Sequence, residues 1–432
     1  MGIKLKSSKS LESRALPSAL FTVFLDAVGV AILIPVFAAL VLPGKFQVIP
    51  DYWSIKDGFI MVGWLAGLYS IFTFLSAPIL GQLSDKHGRK IVLALSLFGT
   101  SIGYAIFAIG VIQKNIPLLF LGRIIDGITG GNIAVARAVV SDVSTPKTRT
   151  RNFGLIGAMF GIGFVLGPYL GGRLSSAGIP FINIFGFQAL TTPSWFTPAL
   201  PFWFASIIAL INVALVLFVL PETLKIKKTA KVIWHKSLSD IKSAIMLPGI
   251  RTVLPVAFLF SGGFTFFTTF FSFTMIDRIE GFTPANVADY FSLIGIWIAV
   301  FQGALIPFVA KRLKNYQVIR FSLFGVALSV LVILGVTSTT GALVVSPLIP
   351  LFVALTMANM TALVSSVADA NIQGETMGIL SSVEALAQGI PAILGGYIAS
   401  LAIWLPSVVA SSLMIIAGLL FWLTFRPSMI KH

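Results

Sequence analysis

Gly81-Gln-Leu-Ser-Asp-Lys-His-Gly-Arg-Lys90 stands between two uncharged apolar runs, 58–80 and 91–112. Each run is long enough to cross a bilayer, because about 20 helical residues cover the hydrocarbon core. The stretch between them therefore reads as a turn at a membrane surface. Gly81 and Gly88 permit tight backbone geometry, and Lys86, Arg89 and Lys90 hold the turn on the cytoplasmic side. Asp85 offers an acceptor to basic side chains or to the N-terminus of a neighbouring helix.

The same reading extends along the chain. Hydrophobic residues make up 57% of it and charged residues 10%, against about 25% charged in soluble domains. Twelve spans are expected, at 17–42, 58–80, 91–112, 117–140, 153–177, 199–220, 252–275, 286–309, 318–337, 346–367, 377–400 and 405–425. The alternation of a membrane barrel is missing, so the spans read as helices. With the N-terminus inside, 23 of the 30 Lys and Arg fall in cytoplasmic segments or, as Arg320 does, at the cytoplasmic edge of a span. That distribution places both termini in the cytoplasm, and it makes the formal charge of +15 a membrane signature and not one of nucleic-acid binding. The first helix reads as retained, since no small-residue cleavage site follows its apolar core. There is no cysteine, which removes disulfides and thiolate chemistry. His87, His235 and His432 all lie in expected cytoplasmic segments. No metal, nucleotide or other cofactor is expected, and no Walker-type phosphate loop is present.

Residues 221–251, opening Pro221-Glu-Thr-Leu-Lys225, interrupt the hydrophobic pattern and read as a cytoplasmic connector between residues 1–220 and 252–432. Trp234 and Leu238 suit an amphipathic segment on the membrane surface. The flanking halves echo one another: Gly154 to Gly171-Gly172 covers the same interval as Gly378 to Gly395-Gly396, with Asp142 and Asp369 ahead of each block. Parallel repeats of this kind suit two bundles with cargo held between them at mid-depth. Lys311-Arg-Leu-Lys-Asn315 keeps the charge of the 81–90 stretch but lacks its glycine framework.

The pattern Gly-x-Leu-x-Asp-x-x-Gly-Arg-Lys at 81–90 resembles the loop between the second and third helices of major facilitator transporters. Three further segments resemble the drug/proton antiporter branch of that superfamily. Leu25-Asp-Ala-Val-Gly-Val-Ala-Ile-Leu-Ile-Pro35 is similar to the first span of tetracycline/proton exporters. Gly122-Arg-Ile-Ile-Asp-Gly-Ile-Thr-Gly130, followed by Asp142, is similar to their arginine-bearing fourth helix. Gly163-Phe-Val-Leu-Gly-Pro-Tyr-Leu-Gly-Gly172 resembles the antiporter motif of the fifth. The resemblance implies an all-α membrane protein with twelve transmembrane helices in two six-helix bundles, exchanging protons for a small molecule. The chain also departs from it. Where those exporters carry an acid in the third helix, this sequence reads Ser101-Ile-Gly103-Tyr104, and its ninth span has no carboxylate. Asp126, Arg137 and Glu384 are charges that the pattern does not demand. These departures keep proton antiport as the expectation and leave the cargo open.

An ionisable residue inside a span is costly and reads as functional by default. Asp26 lies near mid-depth of the first helix, and Arg123 and Asp126 share one face of the fourth at i,i+3 spacing. These three are the expected proton-coupling residues; the structural alternative is a set of helix-locking bonds that never titrate. Gly81, Asp85, Gly88, Arg89, Lys90 and Asp142 are the expected cytoplasmic gate. Gly157, Gly161, Gly163, Gly167, Gly171 and Gly172 give the fifth helix a face for close packing, and Pro168 bends it. Arg137, Phe264, Phe267, Gln302, Asn359, Glu384 and Gln388 are weaker candidates for a substrate cavity. Arg137 can equally snorkel to the surface, Glu384 can bond the other bundle, and Asn212 is a further polar candidate.

The expected partners are a small-molecule substrate, protons and the lipid bilayer, with no nucleic acid, and the chain is expected to act as a monomer in the cytoplasmic membrane. Two rivals stand beside proton antiport. A symporter or uniporter for a metabolite would show several cavity polar groups for a hydroxylated substrate. A receptor or scaffold that transports nothing would be indifferent to Asp26→Asn.

Overall fold

A computed structural model describes residues 2–145, 148–184, 187–224, 250–367 and 373–427. Most of the expected connector, with Trp234, His235 and Leu238, lies outside these residues, as do Asp369 and His432. Eleven of the described helices are long and apolar enough to cross a membrane. Gln373–Leu401, which carries Glu384 and Gln388, is a further long helix, so the twelve expected spans each correspond to helical structure.

Several spans are interrupted where the sequence compels it. The first comprises Gly2–Ala31 and Leu33–Val41, and Pro35, lacking an N–H, leaves the Ala31 carbonyl without its helical donor. The fourth comprises Ile116–Thr129 and Asn132–Val143, parted at Gly130-Gly131. A Cβ on Gly131 would lie 2.6 Å from the Ala77 Cα of the second span, so this corner must be bare backbone. The eighth runs as Pro284–Val300 and then widens into a π-helical turn, Phe301–Leu305. Pro307 follows that turn and cannot donate to Gly303.

An antiparallel hairpin, Pro180–Ile184 with Phe187–Thr191, fills the loop between the fifth and sixth spans, with Ile182 opposite Ala189. No strands were expected there. Gly178, at φ +72°, turns the chain into it.

The two six-helix halves meet along the second and eleventh spans and along the fifth and eighth. The contacts lie toward the end of the bundle opposite Gly88. On Gly67 a side chain would lie 2.7 Å from the Gly389 carbonyl, and on Gly396 the same distance from that of Phe59. Ser272 Oγ donates to Ile34 O across the halves at 2.9 Å, and Phe59 meets Phe273 edge to face with centroids 5.1 Å apart. The glycine pairs noted as an internal echo divide their work in the same way. Gly171 packs on Ile32 and Gly395 on Phe270, each within its own half. Gly172 packs on Ala288 and Gly396 on Ile60, each against the other half.

Candidate functional site

The first half concentrates its charge where three helices cross. Asp26 is 6% exposed, and its Oδ1 accepts from Asn132 Nδ2 at 2.8 Å. Asn132 starts the helix that follows the Gly130-Gly131 break, so the break aims its amide at the first span. Arg123 and Asp126 form a buried ion pair at 2.8 Å. Arg123 Nε also donates to the Leu65 carbonyl at 3.2 Å, and its guanidinium lies 4.3 Å from the ring centroid of Tyr69. A Cβ on Gly103 of the third span would sit 2.9 Å from Asp126 Cβ. Glycine there makes room for a carboxylate supplied from the facing helix.

At the other candidate cluster, the expected ten-residue turn is far tighter. The second span continues as helix to His87, and the third begins at Arg89. Gly81 therefore sits inside a helix, facing open space, and makes no turn, contrary to expectation. Gly88 alone makes it, at φ +112°. Arg89, 7% exposed, donates to Asp85 at 2.6 Å and Asp142 at 3.0 Å, and to Ser84 Oγ at 2.6 Å. Glu222 accepts from the backbone N–H groups of Arg89, at 3.0 Å, and Lys90, at 3.2 Å. Thr223 donates to Asp142 at 3.1 Å. Every partner named here belongs to the first half or to the residues just after its sixth span.

Gly163, Gly167 and Gly171 press against the backbone of the first span near Phe24, Val28 and Ile32. Pro168 is buried within that same helix, Arg149–Leu174. Gly157 and Gly161, expected on the same packed face, meet only open space. Beyond Gly172, Arg173 pairs with Asp289 of the eighth span.

The cavity candidates scatter. Arg137 and Glu384 are electrostatic partners across the two halves, and both are half-buried, as is Gln388. Phe264 is half-buried and lies tilted against Phe164 of the fifth span, centroids 6.3 Å apart. Phe267 differs from expectation: at 1% exposure it belongs to the apolar core of the second half. Asn359 is buried, and its amide is spent on the Leu355 carbonyl at 2.8 Å. Gln302 is exposed on the π-helical turn. Asn212 joins the sixth span to Thr22 of the first at 3.2 Å.

Asn132, Glu222, Thr223 and Asp289 were not singled out from the sequence. The available signals were the Gly-Gly-Asn run at 130–132 and the Pro-Glu-Thr run at 221–223.

A family model described as Major Facilitator Superfamily matches residues 19–390. The chain belongs to this superfamily. The "Tetracycline resistance protein, class E" of Escherichia coli is 29% identical over 376 residues, 86% of this chain and 84% of that one. The "Multidrug resistance protein 2" of Bacillus subtilis strain 168 is 27% identical over 404 residues, 92% of each chain. Among solved structures, that of a D-xylose-proton symporter superposes with a TM-score of 0.74 over 97% of this chain and 99% of the other, at 16% identity. The major facilitator fold thus accounts for both halves, and the chain is a transporter and not an enzyme.

Proposed function

We propose that this major facilitator protein is a proton-coupled antiporter that exports amphipathic small molecules, tetracycline-like or of several kinds, by alternating access. The names of the resistance-protein relatives support the direction and the class of cargo. The observation that carries the proton is Asp26, buried, with one carboxylate oxygen on Asn132 and the other without a partner among the described residues. An acid held this way can exist with or without its proton without breaking its existing bond. Arg123 and Asp126, a charged pair shut away beside it, set the field it feels.

In this reading both termini are cytoplasmic in the cell membrane, residues 221–251 connect the halves, and one chain suffices. The Gly88 end is then the cytoplasmic end, and the closed seam at the other end makes this an inward-facing form. Asp85, Arg89, Lys90 and Asp142 with Gly88 brace the cytoplasmic gate. Arg137, Glu384, Gln388 and Phe264 stand nearest the path of the cargo.

Purified protein in liposomes with an imposed pH gradient tests the reading. A gradient that drives protons inward should speed cargo export, and Asp26→Asn should abolish that acceleration. Import accelerated by the same gradient would replace antiport with symport.

A further inference from the structure

Aromatic rings and one carboxylate share a groove at the end of the molecule away from Gly88. Trp53, Asp57, Ile60, Met61 and Trp64 line it from one face of the second span and the residue leading into it, and Phe120 of the fourth span closes its side. Its volume is about 340 Å3, the size at which small-molecule sites begin. Asp57 stands just before the uncharged run 58–80, at headgroup level. Trp64 lies about 10 Å deeper along the helix axis, where the acyl chains start.

The lining is chemically one-sided. Asp57 is its charged member; it is exposed, and an exposed carboxylate is ionised at neutral pH. Ser54 donates its N–H and its hydroxyl to Asp57 Oδ2, at 2.9 and 2.7 Å. Those bonds fix the carboxylate and leave Oδ1 without a side-chain donor among the described residues. Aromatic faces attract organic cations, and clustered rings hold ammonium groups. An anionic group entering the groove would be repelled by the same carboxylate. Trp64 also reaches the other half, where its indole N–H donates to the Tyr397 hydroxyl at 3.2 Å. Leu394 and Ile390 are exposed on the eleventh span and share a helix face with Tyr397, so an apolar track runs from the groove toward mid-membrane.

We infer that the groove holds the ammonium headgroup of a phospholipid, from the leaflet away from Gly88, with its acyl chains along Leu394 and Ile390. A lipid suits this place better than a free cation, because the charge lies at headgroup level and the apolar track lies at the depth of the tails. The bound lipid straddles the joint between the halves. It must give up contacts when that seam opens, so it favours the form in which the seam is shut. The site is separate from Asp26 and from the cargo path, and it does not depend on the proton reading.

Native mass spectrometry of the purified full-length protein tests the headgroup. Phosphatidylethanolamine and phosphatidylcholine should bind about five-fold more tightly than phosphatidylglycerol with the same chains, the worth of one exposed charge pair. Asp57→Asn keeps an acceptor for Ser54 and should bring the three lipids within about two-fold of one another. Phe120→Leu should weaken the two ammonium lipids about two- to five-fold and leave phosphatidylglycerol unchanged. In nanodiscs, phosphatidylethanolamine should slow hydrogen exchange at 53–64 and 394–401 relative to phosphatidylglycerol, and Asp57→Asn should erase the difference. Equal wild-type affinity for all three headgroups overturns the inference, as does a preference that survives both substitutions. If benzyltrimethylammonium slows exchange at 53–64 and phosphatidylethanolamine does not, the groove belongs to a soluble cation and the lipid assignment falls.

Discussion

Arg173 of the fifth span reaches Asp289 of the eighth, so an ion pair ties one six-helix half to the other at the end away from Gly88. Arg173 is 1% exposed, and beside it Gly172 lies flush against Ala288. Removing one partner of a buried pair strands the other charge, at a cost of about 3–5 kcal/mol. Asp289 is partly exposed, which puts the expected loss at the low end. Arg173→Ala should lower thermal stability in detergent and favour opening at this end. Because the chain has no cysteine, a single cysteine replacing Ala288 reports the opening directly, by faster labelling. The exchange Arg173→Asp with Asp289→Arg should restore slow labelling; if the single variant already labels at the parental rate, the pair does not hold the halves.

Glu222 closes the turn at Gly88 by capping the third helix. Glu222→Ala should cost about 1 kcal/mol, as the loss of a helix cap does. Hydrogen exchange should locate the change, with the amides of Arg89 and Lys90 exchanging faster and those of the second span unaffected.

Gly88→Ala should be worse. Its φ of +112° is poorly tolerated by a residue with a Cβ, and that Cβ would stand 2.5 Å from Glu222 Oε2. A loss of roughly 2 kcal/mol is expected, visible as reduced thermal stability. Gly81→Ala, on the open face of its helix, should be neutral or slightly stabilising, since alanine is the better helix former by about 1 kcal/mol.

Gly103 should refuse the acid that the resemblance would place there. Its Cβ would meet not only Asp126 but the Gly122 carbonyl, also at 2.9 Å. Gly103→Asp should therefore fail to yield stable protein even when combined with Asp126→Ala. A well-folded double variant, judged by size-exclusion profile and melting temperature, would show that the two helices can separate.

Asn132→Ala should leave the carboxylate of Asp26 without its donor, at about 1–3 kcal/mol for a buried polar group left unmet. Asp26→Asn should keep most of the stability and lose the response to a pH gradient. Comparing melting temperatures with gradient-driven exchange for the two variants separates fold from coupling.

The spans were legible because bilayer thickness fixes how long an apolar helix must be, and Gly88 was legible because glycine and charge concentrate there. Gly81 misled because composition does not distinguish a glycine that turns the chain from one carried inside a helix. Asn132 and Glu222 were hidden for a different reason. Their partners lie 106 and 133 positions away, and no local pattern encodes such pairings. Phe264 and Phe267 share one helix and one chemistry, and only the packing of its neighbours sends the first toward the fifth span and the second into the core. The hairpin at 180–191 depends on cross-strand bonds within a short loop, where the apolar pattern that marks spans carries no information.

Gly63, Gly67, Gly389 and Gly396 bring the backbones of the second and eleventh spans together, and only a few side chains engage across the joint: Ile393 over Gly67, Ile71 over Gly389, and Trp64 donating to the Tyr397 hydroxyl at 3.2 Å. Two surfaces with so few teeth can roll over one another once those side chains let go. The pace of the cycle should then be set where side chains do engage, at Trp64 with Tyr397 and at latches such as Arg173 with Asp289.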